Sequence, residues 1–211
     1  KKGMRIAVIT NEDLKTELLA QGLQEGLEIE WMSAPVASGS FDACIDLLFD
    51  SSENRAAALT EMQSALYLLN DVCGCDIRLP GQVVRFNGWR TMLGRSVMEL
   101  GETDAATKSV IEKLLSYLNR KPEWVPDQPG LITARVISMI INEAYLALEA
   151  GVSTKEDIDT AMQLGTSYPH GPFAWGQLIG IGEIEKLLLK LTTTANRYQP
   201  SRLLQQEAAI K

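Results

Sequence analysis

The chain has 211 residues, 45% of them hydrophobic and 22% charged, and a formal net charge of −7. This length allows one or two domains. The acidic balance excludes a general nucleic-acid binder, which would carry a basic face, and no apolar run approaches the ~20 residues needed to span a membrane.

Three cysteines and one histidine leave no complete disulfide framework. Cys73-Gly-Cys75 is one residue short of the Cys-x-x-Cys metal knuckle, and His170 lies far away along the chain, so no metal site is expected. Lys1-Lys2 leads almost directly into a strand-like run without a signal-peptide pattern. Reduced thiols and a cytoplasmic location are the expectation.

In chain order, Arg5 to Thr10 (RIAVIT) is a β-branched run consistent with a buried strand. Thr10 reads as an N-cap and Asp13 as part of an acidic first turn, with Leu14, Leu18, Leu19 and Leu23 at helical spacing up to Gly26. Strands are expected at Leu27 to Met32, Ala43 to Phe49 and Leu66 to Leu69, with an Ala-rich helix over Arg55 to Ser64. Gln82 to Phe86 and Ser96 to Leu100 are further strand candidates. Thr103 is placed as the cap of a helix carrying Val110, Ile111, Leu114, Leu115 and Leu118. Strands alternating with helices predict a parallel α/β sheet. Lys121 to Pro126 reads as extended, because residues before proline avoid the α region, and the domain boundary is placed at its end.

The remainder reads as helical. Ile137, Ile140, Ile141, Ala144 and Leu148 form one stripe, and Gly151 stands where a C′ residue belongs. Ser153 to Glu156 (STKE) is read as a capping box for a helix with Ile158 and Met162. Tyr168 to Pro172 and the following Phe-Ala-Trp are read as a rigid turn. Two more helices are expected, over Glu183 to Leu191 and from Ser201 onward.

Asp127 to Leu131 (DQPGL), Ile141 to Ala144 (INEA), Leu148 to Ser153 (LEAGVS), Glu156 to Asp159 (EDID), Ala161 to Gly165 (AMQLG) and Tyr168 to Trp175 (YPHGPFAW) form an ordered, spaced set. Together they resemble the NAD-dependent 3-hydroxyacyl-CoA dehydrogenases, particularly the short-chain 3-hydroxybutyryl-CoA and 3-hydroxyadipyl-CoA type. The resemblance implies an α/β plus all-α fold: a reduced Rossmann-like parallel sheet domain, residues 1–126, then a helical C-terminal-type domain, residues 127–211. It also implies NAD as cofactor, an acyl-CoA ligand, a place in fatty-acid metabolism, and a homodimer formed through the helical domain.

Carried over by position, the family's cofactor side falls on Asp50, Arg55 and Asn70, with Asp46 beside them. Its general-base histidine falls on Asn87 and the histidine's glutamate on Glu99. The substrate-binding serine falls on Val72, or on Cys73 if the loop shifts by one, and the substrate-binding asparagine on Ala134. The Gly-x-Gly-x-x-Gly turn is Thr10 to Lys15 (TNEDLK), without glycine, and the ribose-binding acid is Trp31. Asparagine cannot titrate, so three of the four catalytic positions are chemically silent.

The expected function is therefore a 3-hydroxyacyl-CoA dehydrogenase family protein that is degenerate for NAD-dependent oxidation. The alternatives are an active divergent short-chain dehydrogenase, or a non-catalytic module that binds an acyl-CoA or a protein. His170, Cys73 and Cys75 are weighed as structural residues, Glu99 as a carboxylate left without its histidine, and Trp175 as a packing anchor.

Overall fold

The computed structural model describes residues 3–37 and 39–210; the expectation resting on Lys1-Lys2 lies outside them. One compact unit runs to Leu131 and a second begins at Ile132.

The first unit contains β1 (Met4–Ile9), α1 (Glu12–Leu19), β2 (Leu27–Met32), β3 (Ala43–Asp46), α2 (Glu53–Thr60) and β4 (Leu66–Asn70). It continues with β5 (Gln82–Phe86), β6 (Val97–Gly101), α3 (Ala105–Tyr117) and β7 (Lys121–Val125). The seven strands stand in the order β2-β1-β3-β4-β5-β6-β7. The first five in that order are mutually parallel. Period-2 alternation sends Ile6 and Val8 to one face, with Leu14 and Leu18 of α1 and Ile111, Leu114 and Leu115 of α3. Ala7 and Ile9 go to the other face, with Leu59 and Met62.

The expected parallel sheet is found, with one strand pair reversed. β6 pairs antiparallel with β5, and β7 runs parallel to β6. A parallel return needs a crossover of a dozen or more residues, usually a helix, whereas the β5–β6 connection holds only turns. Lys121 to Val125, read as merely extended, is an edge strand. Its Pro122 is tolerated there because an edge has positions that need no N–H donor.

The helix starts also shift. Asn11, not Thr10, caps α1, its side chain accepting from the Leu14 N–H. Asp104, not Thr103, caps α3, accepting from Ala106 and Thr107. In each pair only the second residue sits where its side-chain oxygen reaches the N2 or N3 donor. α1 stops at Leu19, and Leu23 is 44% exposed.

The second unit holds α4 (Thr133–Glu149), α5 (Lys155–Thr166), α6 (Pro172–Ile179), α7 (Ile181–Thr192), a 3-10 turn (Asn196–Tyr198) and α8 (Arg202–Ala208). Its core comes from α4 and α7: Ile137, Ile141, Ile184, Leu187, Leu188 and Leu191 are buried, each contributing about 1.5–3 kcal/mol of burial. Gly151 does end α4 as a C′ residue with φ +69. Its N–H donates to Leu148 O and that of Val152 to Ala147 O, the paired bonds of a Schellman motif.

Two expectations change here. The capping pair of α5 is Thr154 and Asp157, one residue on from Ser153 and Glu156. Phe173-Ala-Trp175 is the first turn of α6 and not a loop, because Pro172 at N1 has the preset φ of a helix start.

Candidate functional site

Ligands of doubly wound folds sit beyond the carboxyl ends of the parallel strands. In this chain those ends carry Thr10, Asp46, Asn70 and Asn87.

At the end of β5, Asn87 is 5% exposed. Its backbone N–H donates to Glu99 O of β6 at 3.1 Å, so the fold brings together the two positions of the resembled base and its glutamate. The Asn87 Oδ1 accepts from the Trp89 N–H at 3.2 Å, which fixes the amide's orientation. Its Nδ2 has no hydrogen-bond partner among the described residues. The site thus holds a neutral amide, which can donate or accept a hydrogen bond but does not titrate.

Asn70, ending β4, is tied on both sides. Its Nδ2 donates to Leu47 O at 3.1 Å and its Oδ1 accepts from the Gly88 N–H at 2.9 Å. A Cβ on Gly88 would lie 2.8 Å from the Phe86 ring and 2.9 Å from Asn70 Cγ, so glycine is required for this close approach. Asn70 here joins the segments that follow β3, β4 and β5.

The loop after β4 carries Val72 and Cys73, both buried. It is organised by Asp71, whose carboxylate accepts from the N–H groups of Cys73, Gly74 and Cys75 at 3.1, 3.0 and 2.7 Å. Val72 O accepts from the Gly130 N–H. The buried Arg85 donates to Asp71 O and pairs with Asp127. Neither Asp71 nor Arg85 stood out in the sequence, since an isolated Asp-x-Cys-Gly is also an ordinary turn.

Beside β3, Asp46 is fully buried and receives Arg55 in a two-pronged pair, Nε to Oδ2 at 2.8 Å and Nη2 to Oδ1 at 2.6 Å. Burial pushes the Asp46 carboxyl up from its ordinary range, against the pull of Arg55. Asp50 is exposed, and the Ser52 N–H holds its carboxyl below the usual range. The Arg55 cation is therefore committed to Asp46.

In the helical unit, Ala134 is fully buried in the first turn of α4, where a methyl group can neither donate nor accept. The other motif residues hold the scaffold. Asp159 accepts from the N–H groups of Phe173 and Ala174 at 2.8 and 2.9 Å, capping α6 from α5. Asn142 accepts from the Ser201 N–H at 2.8 Å and donates to Gln199 O at 3.0 Å. His170 and Tyr168 lie against the Trp175 ring at 6.0 and 6.1 Å. Among the described residues no group of three or more His, Cys, Asp or Glu could hold a metal, and no helix is long and apolar enough to cross a membrane.

The family model for the 3-hydroxyacyl-CoA dehydrogenase C-terminal domain matches residues 130–210. The 3-hydroxyadipyl-CoA dehydrogenase of Escherichia coli (strain K12) is 32% identical over 200 residues, covering 90% of this chain and 41% of that protein. The helical part, residues 130–210, is a C-terminal domain of the 3-hydroxyacyl-CoA dehydrogenase family.

Within this family, the 3-hydroxybutyryl-CoA dehydrogenase of Clostridioides difficile is 36% identical over 91 residues, 43% of this chain and 32% of that protein. The chain thus spans less than half the length of either curated relative. The crystal structure of FadB2 from M. tuberculosis superposes over 98% of this chain and 93% of that one, with a TM-score of 0.75. At 17% identity that likeness is one of fold.

The family is NAD-dependent, and the β1–α1 turn of this chain does not fit the dinucleotide. No glycine stands between Thr10 and Lys15, Asn11 already fills a donor of the helix start, and Glu12 and Asp13 put two carboxylates in its first turn, unfavourable for a diphosphate.

Proposed function

We propose that this chain is a non-catalytic member of the 3-hydroxyacyl-CoA dehydrogenase family that acts in acyl-CoA metabolism through its helical unit. The observation that carries this reading is Asn87, a buried amide whose Oδ1 accepts from the Trp89 N–H, at the place of the general base. Hydride leaves a hydroxyl-bearing carbon only as the hydroxyl proton is taken, and such a base contributes roughly 10²- to 10⁴-fold. Asparagine has no proton-accepting state in water. The buried Ala134 supports the same reading, because it offers no hydrogen bond to a substrate.

The test is turnover of acetoacetyl-CoA with NADH by the purified chain. NADH consumption is expected to equal the rate without protein. Steady consumption proportional to protein concentration would overturn the reading.

The helical unit supplies a surface for a second copy. A groove of about 570 Å³ runs along α4 and α5, lined by Met139, Ile140, Ala144, Ile158 and Met162. Val136 beside it is 53% exposed, and α5 has no buried residue at all. Arg135 and Glu143 also line this groove, two turns apart on α4. An antiparallel crossing of two α4 helices centred on Met139 would set Arg135 of one copy opposite Glu143 of the other, a self-complementary pattern. Light scattering is expected to give twice the 23.2 kDa chain mass. Ile140→Asp should give the monomer with unchanged helicity, and a wild-type monomer would remove this part of the proposal.

A further inference from the structure

We infer that the β1–α1 turn, capped by Asn11 and carrying the carboxylates of Glu12 and Asp13, takes no dinucleotide. The inference goes beyond the missing base, because a protein without a general base could still hold NAD.

A dinucleotide site at a helix start needs open backbone donors, room for close approach and an absence of negative charge. One of the first-turn donors is already taken, no glycine opens the turn, and the charge there is negative. The Asn11 Oδ1 accepts from the Leu14 N–H at 2.9 Å. The carboxylate of a bound diphosphate's would-be neighbour, Glu12, is 89% exposed at the side chain, and that of Asp13 is 68% exposed. Both sit in the first turn, where they complement the helix dipole in place of an external anion.

The adenosine end is altered as well. Trp31, near the end of β2, takes the position of the ribose-binding acid, and an indole can only donate. Its ring lies 5.2 Å from the Lys15 Nζ, so the nearest cation of α1 is stacked on protein and also paired with Glu12 at 3.6 Å.

The outer carboxylates of α1 have an internal role too. Arg90 pairs with Asp13 at 3.3 Å and with Glu17 at 3.4 Å, while Glu17 Oε2 accepts from the Thr91 N–H at 2.9 Å. The buried Arg120 donates to Glu17 O and Leu93 O at 3.1 and 2.8 Å. These contacts strap the segment after Asn87 onto α1. Asp13 therefore repels a diphosphate and serves the strap at once.

The test is titration of the full chain with NADH, read by nucleotide fluorescence, thermal unfolding and amide hydrogen exchange over Asn11 to Lys15. No saturable signal and an unchanged Tm are expected. A ligand present at roughly 100 times its dissociation constant would raise Tm by several degrees. Saturable binding that slows exchange anywhere from Asn11 to Lys15 would overturn the inference. Saturable binding that leaves those amides unchanged places NADH elsewhere, and the inference about the turn stands. Binding at the turn without turnover would sink this inference alone, whereas turnover of acetoacetyl-CoA would sink the non-catalytic reading.

Discussion

Arg55→Met is expected to destabilise the first unit by about 3–5 kcal/mol, the usual cost of removing one partner from a buried pair. Asp46 is 0% exposed, and both its oxygens are held by Arg55 at 2.6 and 2.8 Å. Methionine keeps much of the apolar stem but leaves the carboxylate uncompensated between β1 and β4, the strands that flank β3. The one remaining donor to the carboxylate that is seen is the Leu48 N–H, at 3.0 Å. A loss of this size is a large share of the ~5–15 kcal/mol that holds a typical domain together, so the midpoint of urea unfolding should fall sharply. Asp46→Asn combined with Arg55→Met should cost less than the sum of the two single changes, since no buried charge is then left alone. A loss below about 1 kcal/mol in the single variant would show that Asp46 is not held ionised by Arg55.

Gly171→Ala is the second large effect. Its new Cβ would lie 2.3 Å from Asp159 Cβ and Cγ and 2.4 Å from Asp159 Cα. The Cα is backbone and cannot rotate away, so α5 and α6 must part. The overpacking alone costs about 1–3 kcal/mol. Separation would also pull the Asp159 carboxylate from the N–H groups of Phe173 and Ala174, a cap worth up to about 2 kcal/mol. Gly165→Ala within α5 provides the opposite sign. Nothing lies within 4 Å of its added methyl, so the helix should gain up to about 1 kcal/mol. Chemical denaturation of both variants decides the matter: equal effects would show that Gly171 is not a packing glycine.

This second pair explains why the motif from Tyr168 to Trp175 was so legible. Asp159, Gly171 and Pro172 are each specified by a short-range need: a cap, a close approach and a helix start. The stripe of α4 and the Gly151 stop were readable for the same reason, because the 3.6 period and its stop are written into neighbouring residues. Helix starts were less legible by one position, since Thr10 or Asn11, and Ser153 or Thr154, are both plausible caps until a donor is placed. The strand at Ser96 to Leu100 was found, but its direction was not, because direction depends on the connection and on the partner strand.

The candidate site divides along the same line. That an asparagine at 87 cannot titrate and that an alanine at 134 offers no hydrogen bond follow from side-chain chemistry alone, so this much was legible in the sequence. What fills their surroundings could not be read from the chain. Arg55 meets Asp46, Asp71 gathers three backbone donors, and Asp13 and Glu17 hold Arg90, each through folding that brings separate segments together. Local period and side-chain chemistry set the elements and the family likeness. Only the folded chain shows that Asn11 caps the helix start at Leu14, because a hydrogen bond is assigned by distance and not by order.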